Sequence, residues 1–183
     1  MKTSINMAAY DTSVKVLGPG KRFVVWFQGC PFNCSSCINK SFKAFTEATV
    51  IEVTELCSII KNTKGLEGVT ITGGEPFAQP KALLELVMEI KGYDLGIQVY
   101  TGFLFDELKD SKNSDICKVL ENIDVLIDGP FIESEKVEKS CIGSKNQKIH
   151  FLSNRYKEED FSLSNGYEVK IEKDKVEITG FYL

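Results

Sequence analysis

Three cysteines stand within eight residues in the stretch Gly29-Cys30-Pro31-Phe32-Asn33-Cys34-Ser35-Ser36-Cys37, separated by three and then two residues. Directly before this stretch, residues 23–27 have the apolar sequence Phe-Val-Val-Trp-Phe, which is typical of a buried strand. Thiolates are the usual ligands of iron in clusters, and a short loop brings several of them to one point. The stretch therefore predicts a strand followed by a metal-binding loop, with a four-iron cluster left one protein ligand short.

The six cysteines of the chain also allow two other interpretations. Three disulfides would suit a small secreted protein, but the N-terminus, Met1-Lys2-Thr3-Ser4-Ile5-Asn6, lacks the apolar core of a signal peptide. Zinc sites usually contain two Cys-x2-Cys-like pairs or added histidines, and the single histidine, His150, is far away in sequence. An iron–sulfur cluster is the favoured interpretation, and zinc is the alternative.

The composition is that of an ordinary globular protein. The 183 residues fit one domain, with 43% hydrophobic and 26% charged residues. The net charge of −4 provides no basic surface for nucleic acid, and no apolar run approaches the ~20 residues of a membrane span. We therefore expect a cytoplasmic protein that binds neither nucleic acid nor membrane.

Strand-like and helix-like segments alternate from residue 22 to residue 152, which predicts an α/β fold with a mainly parallel sheet. About five such units cannot close an eight-stranded barrel of ~250 residues, so we expect an open, partial (β/α) barrel. Alternation with period two predicts a C-terminal β-hairpin at about 167–180. Residues 1–183 then form a single domain with its core at about 14–152.

Two predictions concern the start of the chain and the first helix. Residues 1–13 are polar and mixed, which predicts an extended lead-in. The segment Thr49-Val50-Ile51-Glu52 has the pattern of a capping box and predicts a helix that runs to about Lys64. Because Cys57 lies on the apolar stripe of that helix, we expect it in the core.

The remaining cysteines and the histidine have less specific patterns. Cys117 falls with apolar neighbours in a predicted helix at about 114–121 and is expected in the core. Residues 133–139 alternate in charge and predict a solvated loop, with partner docking as a second interpretation. A redox role for Cys141 is open, because a loop thiol after this segment would be accessible. His150 is interpreted as a half-buried strand residue.

The spacing Cys-x3-Cys-x2-Cys after a strand resembles the signature of the radical S-adenosylmethionine (SAM) superfamily. Further motifs follow in order over about residues 14–151, and together they resemble the anaerobic ribonucleotide reductase activating proteins, which are glycyl-radical enzyme activases. The motifs are Leu17-Gly18-Pro19-Gly20-Lys21-Arg22, Phe27-Gln28-Gly29-Cys30-Pro31, Cys37-Ile38-Asn39, Thr72-Gly73-Gly74-Glu75-Pro76-Phe77, Tyr100-Thr101-Gly102, Ile127-Asp128-Gly129-Pro130-Phe131 and Gly143-Ser144-Lys145-Asn146-Gln147.

The resemblance implies a chemistry that needs no side-chain acid or base. Cys30, Cys34 and Cys37 would hold a [4Fe–4S] cluster, and SAM would chelate the fourth iron. A reduced cluster would cleave SAM to methionine and a 5′-deoxyadenosyl radical, which abstracts hydrogen from a glycine of a partner, an anaerobic ribonucleotide reductase. An electron donor such as flavodoxin or ferredoxin would reduce the cluster.

The resemblance also assigns SAM contacts to the segment Gly73-Gly74-Glu75-Pro76, near the methionine amino group. Two glycines let the backbone approach a ligand closely, and Glu75 is expected to hold the shape of the loop. Ser36 stands where the wider superfamily often has an aromatic residue against adenine, so other residues must supply that contact. The other residues expected to bind SAM are Tyr100, Thr101, Asp128, Ser144 and Asn146.

Two alternative functions stay open from the sequence. A small radical SAM enzyme that modifies a peptide or a metabolite would share most of these motifs. The absence of a second cysteine-rich extension argues against many peptide-modifying relatives. A non-enzymatic iron–sulfur or zinc protein would bind metal but would never cleave SAM.

Overall fold

A computed structural model describes residues 3–139, 141–161, 166–172 and 175–180. Eleven strands and four helices are assigned among these residues. The strands are β1 Ser4–Val14, β2 Arg22–Phe27, β3 Thr49–Glu52, β4 Gly68–Gly73, β5 Gly96–Tyr100, β6 Val125–Asp128, β7 Lys136–Lys139, β8 Ile142–Ser144, β9 Lys148–Phe151, β10 Tyr167–Glu172 and β11 Lys175–Gly180, and the helices are α1 Val53–Asn62, α2 Pro80–Lys91, α3 Phe105–Lys109 and α4 Ser114–Leu120.

Seven strands form the main sheet, in the order β3-β1-β2-β4-β5-β6-β9. The central strands β2, β4, β5 and β6 are parallel, whereas β1, β3 and β9 are joined to their neighbours antiparallel. This arrangement confirms the α/β class and the mainly parallel central sheet. The hairpin of β10 and β11 is also confirmed, and its turn at 173–174 lies outside the described residues. The curvature of a partial barrel stays a prediction.

The two faces of the central sheet have different roles. On one face, Val25 of β2, Ile71 of β4 and Val99 of β5 are fully buried in the core shared with α1 and α2. The opposite face carries Trp26, which pairs in register with Thr72 of β4. Because the side chains of a strand alternate between faces, this second face carries the side chains that point away from the core shared with α1 and α2.

Two local predictions at the sheet edge missed the pairing of distant strands. The lead-in is extended, as predicted, but it forms strand β1, whose Ile5 and Met7 are buried and whose backbone pairs with both β2 and β3. Residues 49–52 are strand β3 rather than a capping box, since Thr49 pairs with Met7, and α1 begins only at Val53. Pairing with a distant strand outweighed the local capping pattern, and a single segment does not reveal such a partner.

A buried arginine closes the end of the sheet away from the cysteine loop. Nε of Arg22 donates to Thr70 Oγ1 (3.0 Å), and Nη2 donates to the carbonyl oxygens of Val69 (2.7 Å) and Gly96 (3.1 Å). Nη1 donates to the hydroxyl of Tyr156 at 2.8 Å. Burial lowers the pKa of the Arg22 guanidinium. The cation is therefore held by polar groups of β4 and β5 and by Tyr156.

We expect the Tyr156→Phe substitution to lower the free energy of unfolding by about 1–3 kcal/mol, because it leaves a buried N–H of Arg22 without this acceptor. Urea unfolding followed by circular dichroism measures the change. Tyr10→Phe, which alters a more exposed tyrosine, is the control and should change stability by less than about 0.5 kcal/mol. Equal stability of Tyr156→Phe and wild type would contradict this role for Tyr156.

No helix in the described part of the chain has both the length and the apolar character needed to cross a membrane.

Candidate metal and cofactor site

The three clustered cysteines lie in the irregular loop that leaves the carboxyl end of β2. Cys30, Cys34 and Cys37 are all free thiols and all half-buried. Burial is the main cause that raises the pKa of Cys30, and Glu75, Cys37 and Cys34 raise it further through their charge. A cation bound at this loop would favour the thiolate of Cys30, because it would offset the neighbouring negative charge.

The donor set fits an iron–sulfur cluster by its chemistry. It consists of soft thiolates from a single loop, which suit iron in clusters better than harder metals. Among the residues that the structure describes, no three His, Cys, Asp or Glu side chains are arranged to hold a metal ion. The three cysteines are thus brought into one loop but are not gathered around one point.

Backbone hydrogen bonds fix both ends of the cysteine loop. The N–H of Gly29 donates to the carbonyl of Phe42 (2.8 Å), and the N–H of Cys30 donates to the carbonyl of Lys43 (3.0 Å). The N–H of Glu75, beyond the end of β4, donates to the carbonyl of Gly29 (2.8 Å). The loop is therefore attached to the neighbouring parallel strand as well as to its own return segment.

The two glycines that end β4 allow this attachment. A Cβ atom at Gly74 would lie 2.3 Å from the carbonyl oxygen of Gly29. Gly73 has a φ of +111°, and a Cβ atom there would lie 2.3 Å from the backbone nitrogen of Phe27. Side chains rarely tolerate either condition, so both positions need glycine for contact with the cysteine loop.

Glu75 joins the ends of β4 and β5 from a buried position. Its Oε1 accepts hydrogen bonds from Phe77 N (3.0 Å) and Thr101 Oγ1 (2.9 Å), and its Oε2 accepts from Gly102 N (2.8 Å). Only 1% of Glu75 is exposed, and burial raises its pKa to about 7 despite these donors. Glu75 and Thr101 therefore shape the wall behind the site.

The raised pKa of Glu75 predicts a pH dependence of stability. Because the folded-state pKa is about 7 and the usual value is 4.5, folding favours the protonated acid. This stabilisation is complete below about pH 4.5 and is lost as the pH rises through 7. Between pH 5 and pH 7.5 we expect the wild type to lose about 2 kcal/mol of unfolding free energy relative to Glu75→Gln.

Urea unfolding of the metal-free protein at the two pH values measures this difference. Glu85→Gln on α2, which removes a half-buried carboxyl of the same type, is the matched control variant. Parallel pH profiles for wild type and Glu75→Gln would contradict the raised pKa of Glu75.

A cavity of about 330 Å³ lies on the open face of the sheet beside the cysteine loop. Tyr100 is the one predicted SAM contact on its wall. The sequence analysis did not predict the other residues of the wall as ligand contacts. The alternation of side chains along a strand nevertheless places Trp26 and Thr72 on the same face of the sheet. The wall is formed by Ala9, Tyr10, Asp11, Leu17, Trp26, Ile38, Asn39, Phe42, Thr72, Tyr100, Glu177, Ile178, Thr179 and Gly180.

Asp128 lies at the carboxyl end of β6, where its carboxylate is engaged by backbone. Oδ2 accepts from Phe105 N (2.7 Å) at the start of α3, and Oδ1 accepts from Lys148 N (3.2 Å) at the start of β9. The ring nitrogen Nε2 of His150 lies 3.1 Å from Oδ2, which agrees with a half-buried strand histidine. Asp128 thus joins β6 to α3 and β9, and it is not on the wall of the cavity.

Ser144 and Asn146 hold the loop that follows β6. The buried Ser144 accepts a hydrogen bond from Ile132 N (3.1 Å), and Asn146 Nδ2 donates to the carbonyl of Pro130 (2.7 Å). The other polar atom of Asn146, Oδ1, is buried and has no hydrogen-bond partner among the described residues. Neither side chain lines the cavity that contains Tyr100.

The burial of the three other cysteines agrees with the prediction in one case and differs from it in two. Cys57 is buried in the core, as expected, and Cys117 is half-buried at the edge of α4 rather than fully inside. The expectation of an accessible Cys141 is wrong, since its side chain is fully buried against Ile142 and Phe161. Residues 136–139 also form a strand, β7, rather than a loop.

Comparisons with known proteins give the family. Residues 16–150 match the family model "4Fe-4S single cluster domain". Over 151 residues the chain is 33% identical to the anaerobic ribonucleoside-triphosphate reductase-activating protein of Haemophilus influenzae, covering 77% of this chain and 94% of that protein. The chain belongs to this activating-protein family. The Escherichia coli K12 member is 32% identical over 149 residues, and the match covers 75% of this chain and 92% of that protein.

Membership in the activating-protein family confirms the resemblance found in the motifs, and with it the prediction of an activase-like enzyme that carries an iron–sulfur domain. The crystal structure of QueE from Escherichia coli is a more distant likeness, with 21% identity and a TM-score of 0.42. It covers 56% of this chain and 53% of QueE, which is too little to define the fold.

Proposed function

We propose that this chain is a radical SAM activase that generates a glycyl radical on an anaerobic ribonucleotide reductase. The observation that carries the proposal is the three-cysteine loop, braced by Gly73 and Gly74 and bordered by an apolar cavity, in a chain whose relatives are named for activating that reductase. Bound SAM would supply a 5′-deoxyadenosyl radical, which would take a hydrogen atom from the Cα of a glycine and leave 5′-deoxyadenosine and a stored glycyl radical.

Cys30, Cys34 and Cys37 would hold the [4Fe–4S] cluster, since they are the thiols of the loop. When bound and reduced, such a cluster supplies the electron that splits SAM into methionine and a 5′-deoxyadenosyl radical. The chain's part is to position SAM and to keep water and oxidants away from the radical. Three thiolates provide the metal ligands, and no acid or base residue is required.

The cavity beside the loop has the size and lining that a nucleoside needs. Its volume of about 330 Å³ is at the lower end of the ~300–1,000 Å³ of ligand sites. Trp26, Phe42 and Tyr100 provide flat apolar surface for a base, in place of the aromatic residue absent at Ser36. Thr72 and Asn39 provide polar groups on the same wall.

Two further features supply polar contacts for SAM. Gly73 and Gly74 let the end of β4 lie directly against Phe27 and Gly29, so the backbone there would lie next to SAM bound at the cysteine loop. Asn146 lies outside the cavity wall, and its buried Oδ1, an acceptor without a partner among the described residues, would suit a hydroxyl or ammonium donor of a ligand that extends to this loop. Asp128 and Ser144 act on this site through the loops that they hold.

Anaerobic reconstitution with iron and sulfide, followed by SAM and dithionite, tests the chemistry. We expect 5′-deoxyadenosine, and, when the anaerobic ribonucleotide reductase of the same organism is added, the doublet of a glycyl radical in its EPR spectrum. A fully loaded protein that never cleaves SAM, with or without the reductase, would overturn the proposal. Cleavage without a glycyl radical would instead favour a peptide or metabolite substrate. The same assay with flavodoxin or ferredoxin in place of dithionite tests the predicted electron donors.

A further inference from the structure

The C-terminal hairpin carries an apolar face that points to solvent. Val169 pairs directly with Ile178, and Ile171 pairs directly with Val176, so these side chains share one face of the two strands. Each of the five apolar side chains on this face is about half exposed or more. The exposed fractions are 59% for Tyr167, 47% for Val169, 73% for Ile171, 61% for Val176 and 49% for Ile178.

The opposite, polar face of the hairpin is the one that contacts the body of the protein. Lys170 forms an ion pair with Asp11 of β1 and donates to the carbonyl of Ser13 (3.0 Å). The carboxylate of Glu168 accepts a hydrogen bond from the N–H of Lys15 (3.1 Å). An amphipathic hairpin normally buries its apolar face, so this inverted attachment leaves the apolar face for another molecule.

The hairpin borders the candidate site. Residues 177–180 of β11 line the same cavity as Trp26 and Tyr100. The match to the family model ends at residue 150, so the hairpin lies beyond the matched region. A molecule that covers the apolar face therefore lies next to the cavity in which the proposed radical forms.

The exposed area of this apolar face indicates which kind of partner can bind it. Five such side chains expose on the order of 500 Å², which is within the range of functional patches but below the ~800 Å² per partner of a stable interface. Two copies of the chain that met only through their hairpins would fall short of that area. A partner that also covers the neighbouring rim of the cavity would reach it.

We infer that the apolar face of the hairpin is a docking surface for the protein substrate, which rests there while its glycine segment enters the cavity. The inference rests on the proposed function and identifies the partner as the reductase. It requires an apolar surface on the reductase beside its glycine segment. The hairpin then contributes to affinity for the protein substrate and not to SAM cleavage.

The test is the double variant Ile171→Thr/Val176→Thr, which keeps β-branched residues in both strands but removes apolar surface. The matched control is Val50→Thr/Met88→Thr, which alters two apolar residues on β3 and α2 that are also about half exposed. Affinity for the reductase is measured by anaerobic titration calorimetry, SAM cleavage is measured without the reductase, and sedimentation gives the state of the chain alone. Circular dichroism verifies that each variant is folded.

We expect the hairpin variant to bind the reductase about tenfold more weakly or worse, with unchanged SAM cleavage, while the control matches wild type. Unchanged affinity of the hairpin variant would overturn the inference while leaving the proposed function intact. A shift from dimer to monomer with unchanged affinity would assign the face to a second copy and also overturn it. A wild type that cleaves SAM but never binds the reductase would overturn the proposed partner, and the inference with it.

Discussion

The Cys34→Ala variant is expected to lose its iron–sulfur cluster and, with it, the formation of 5′-deoxyadenosine. The substitution leaves two thiolates where the cluster needs three, and the adjacent Asn33 and Ser35 are poor ligands for iron. Loss of a group that only supports a metal ligand costs roughly 10–100-fold in affinity or activity, so loss of the ligand itself should exceed that range. Iron and sulfide content and the yield of 5′-deoxyadenosine after reconstitution measure both effects.

Cys117→Ala is the matched control for this experiment. Cys117 is half-buried like the three loop cysteines, but it lies in α4, where its Sγ contacts the carbonyl oxygen of Ser111 (3.4 Å). This variant should retain the iron content and SAM cleavage of wild type. Wild-type iron content and cleavage in Cys34→Ala would show that Cys34 is not a ligand and would favour another metal site.

The parts of the fold that were predicted correctly depend on local patterns. The apolar run of β2 followed by the cysteine loop could be identified because both the strand and its ligands are consecutive residues. The hairpin from Tyr167 follows its alternation with period two in the same way. In each case the segment carries its own signal.

The parts that were missed depend on contacts between distant residues. β1 and β3 are strands because they pair with each other and with β2, although residues 49–52 alone favour the start of a helix. Cys141 is buried by Phe161 and its neighbours, which its charged flanking sequence does not indicate. Burial of this kind is decided by tertiary packing and has no signature in a short window.

The residues of the candidate site also divide into those with a local sequence pattern and those that depend on contacts between distant residues. The loop cysteines and Gly73 were identified from motifs, whereas the role of Trp26 on the cavity wall became visible only with the sheet register. The orientation of the hairpin is the clearest case. The alternation of polar and apolar residues shows that the hairpin has two different faces, but it does not show which face contacts the body of the protein. The ion pair between Lys170 and Asp11, 159 residues apart in sequence, decides that question.

The second large effect is expected from Gly74→Ala, which should lower the free energy of unfolding by about 3 kcal/mol and impair cluster retention. The added Cβ would lie 2.3 Å from the carbonyl oxygen of Gly29 and 2.9 Å from that of Phe42, so backbone must move. Overpacking of this kind typically costs about 1–3 kcal/mol, and here the contacts are to backbone, which yields less easily than a side chain. The hydrogen bond from Gly74 N to Phe27 O (2.8 Å) would weaken as well.

Urea unfolding of the metal-free protein and iron content after gel filtration separate the two consequences of Gly74→Ala. Gly92→Ala is the control, because Gly92 has a right-handed helical backbone (φ −70°) and its Cβ would lie 3.3 Å from the nearest atom. If the close approach of β4 to the cysteine loop positions the thiolates, Gly74→Ala must lose both stability and iron, whereas Gly92→Ala retains both. Loss of stability with full iron retention would show that Gly74 supports the fold alone and that the loop holds its ligands without β4.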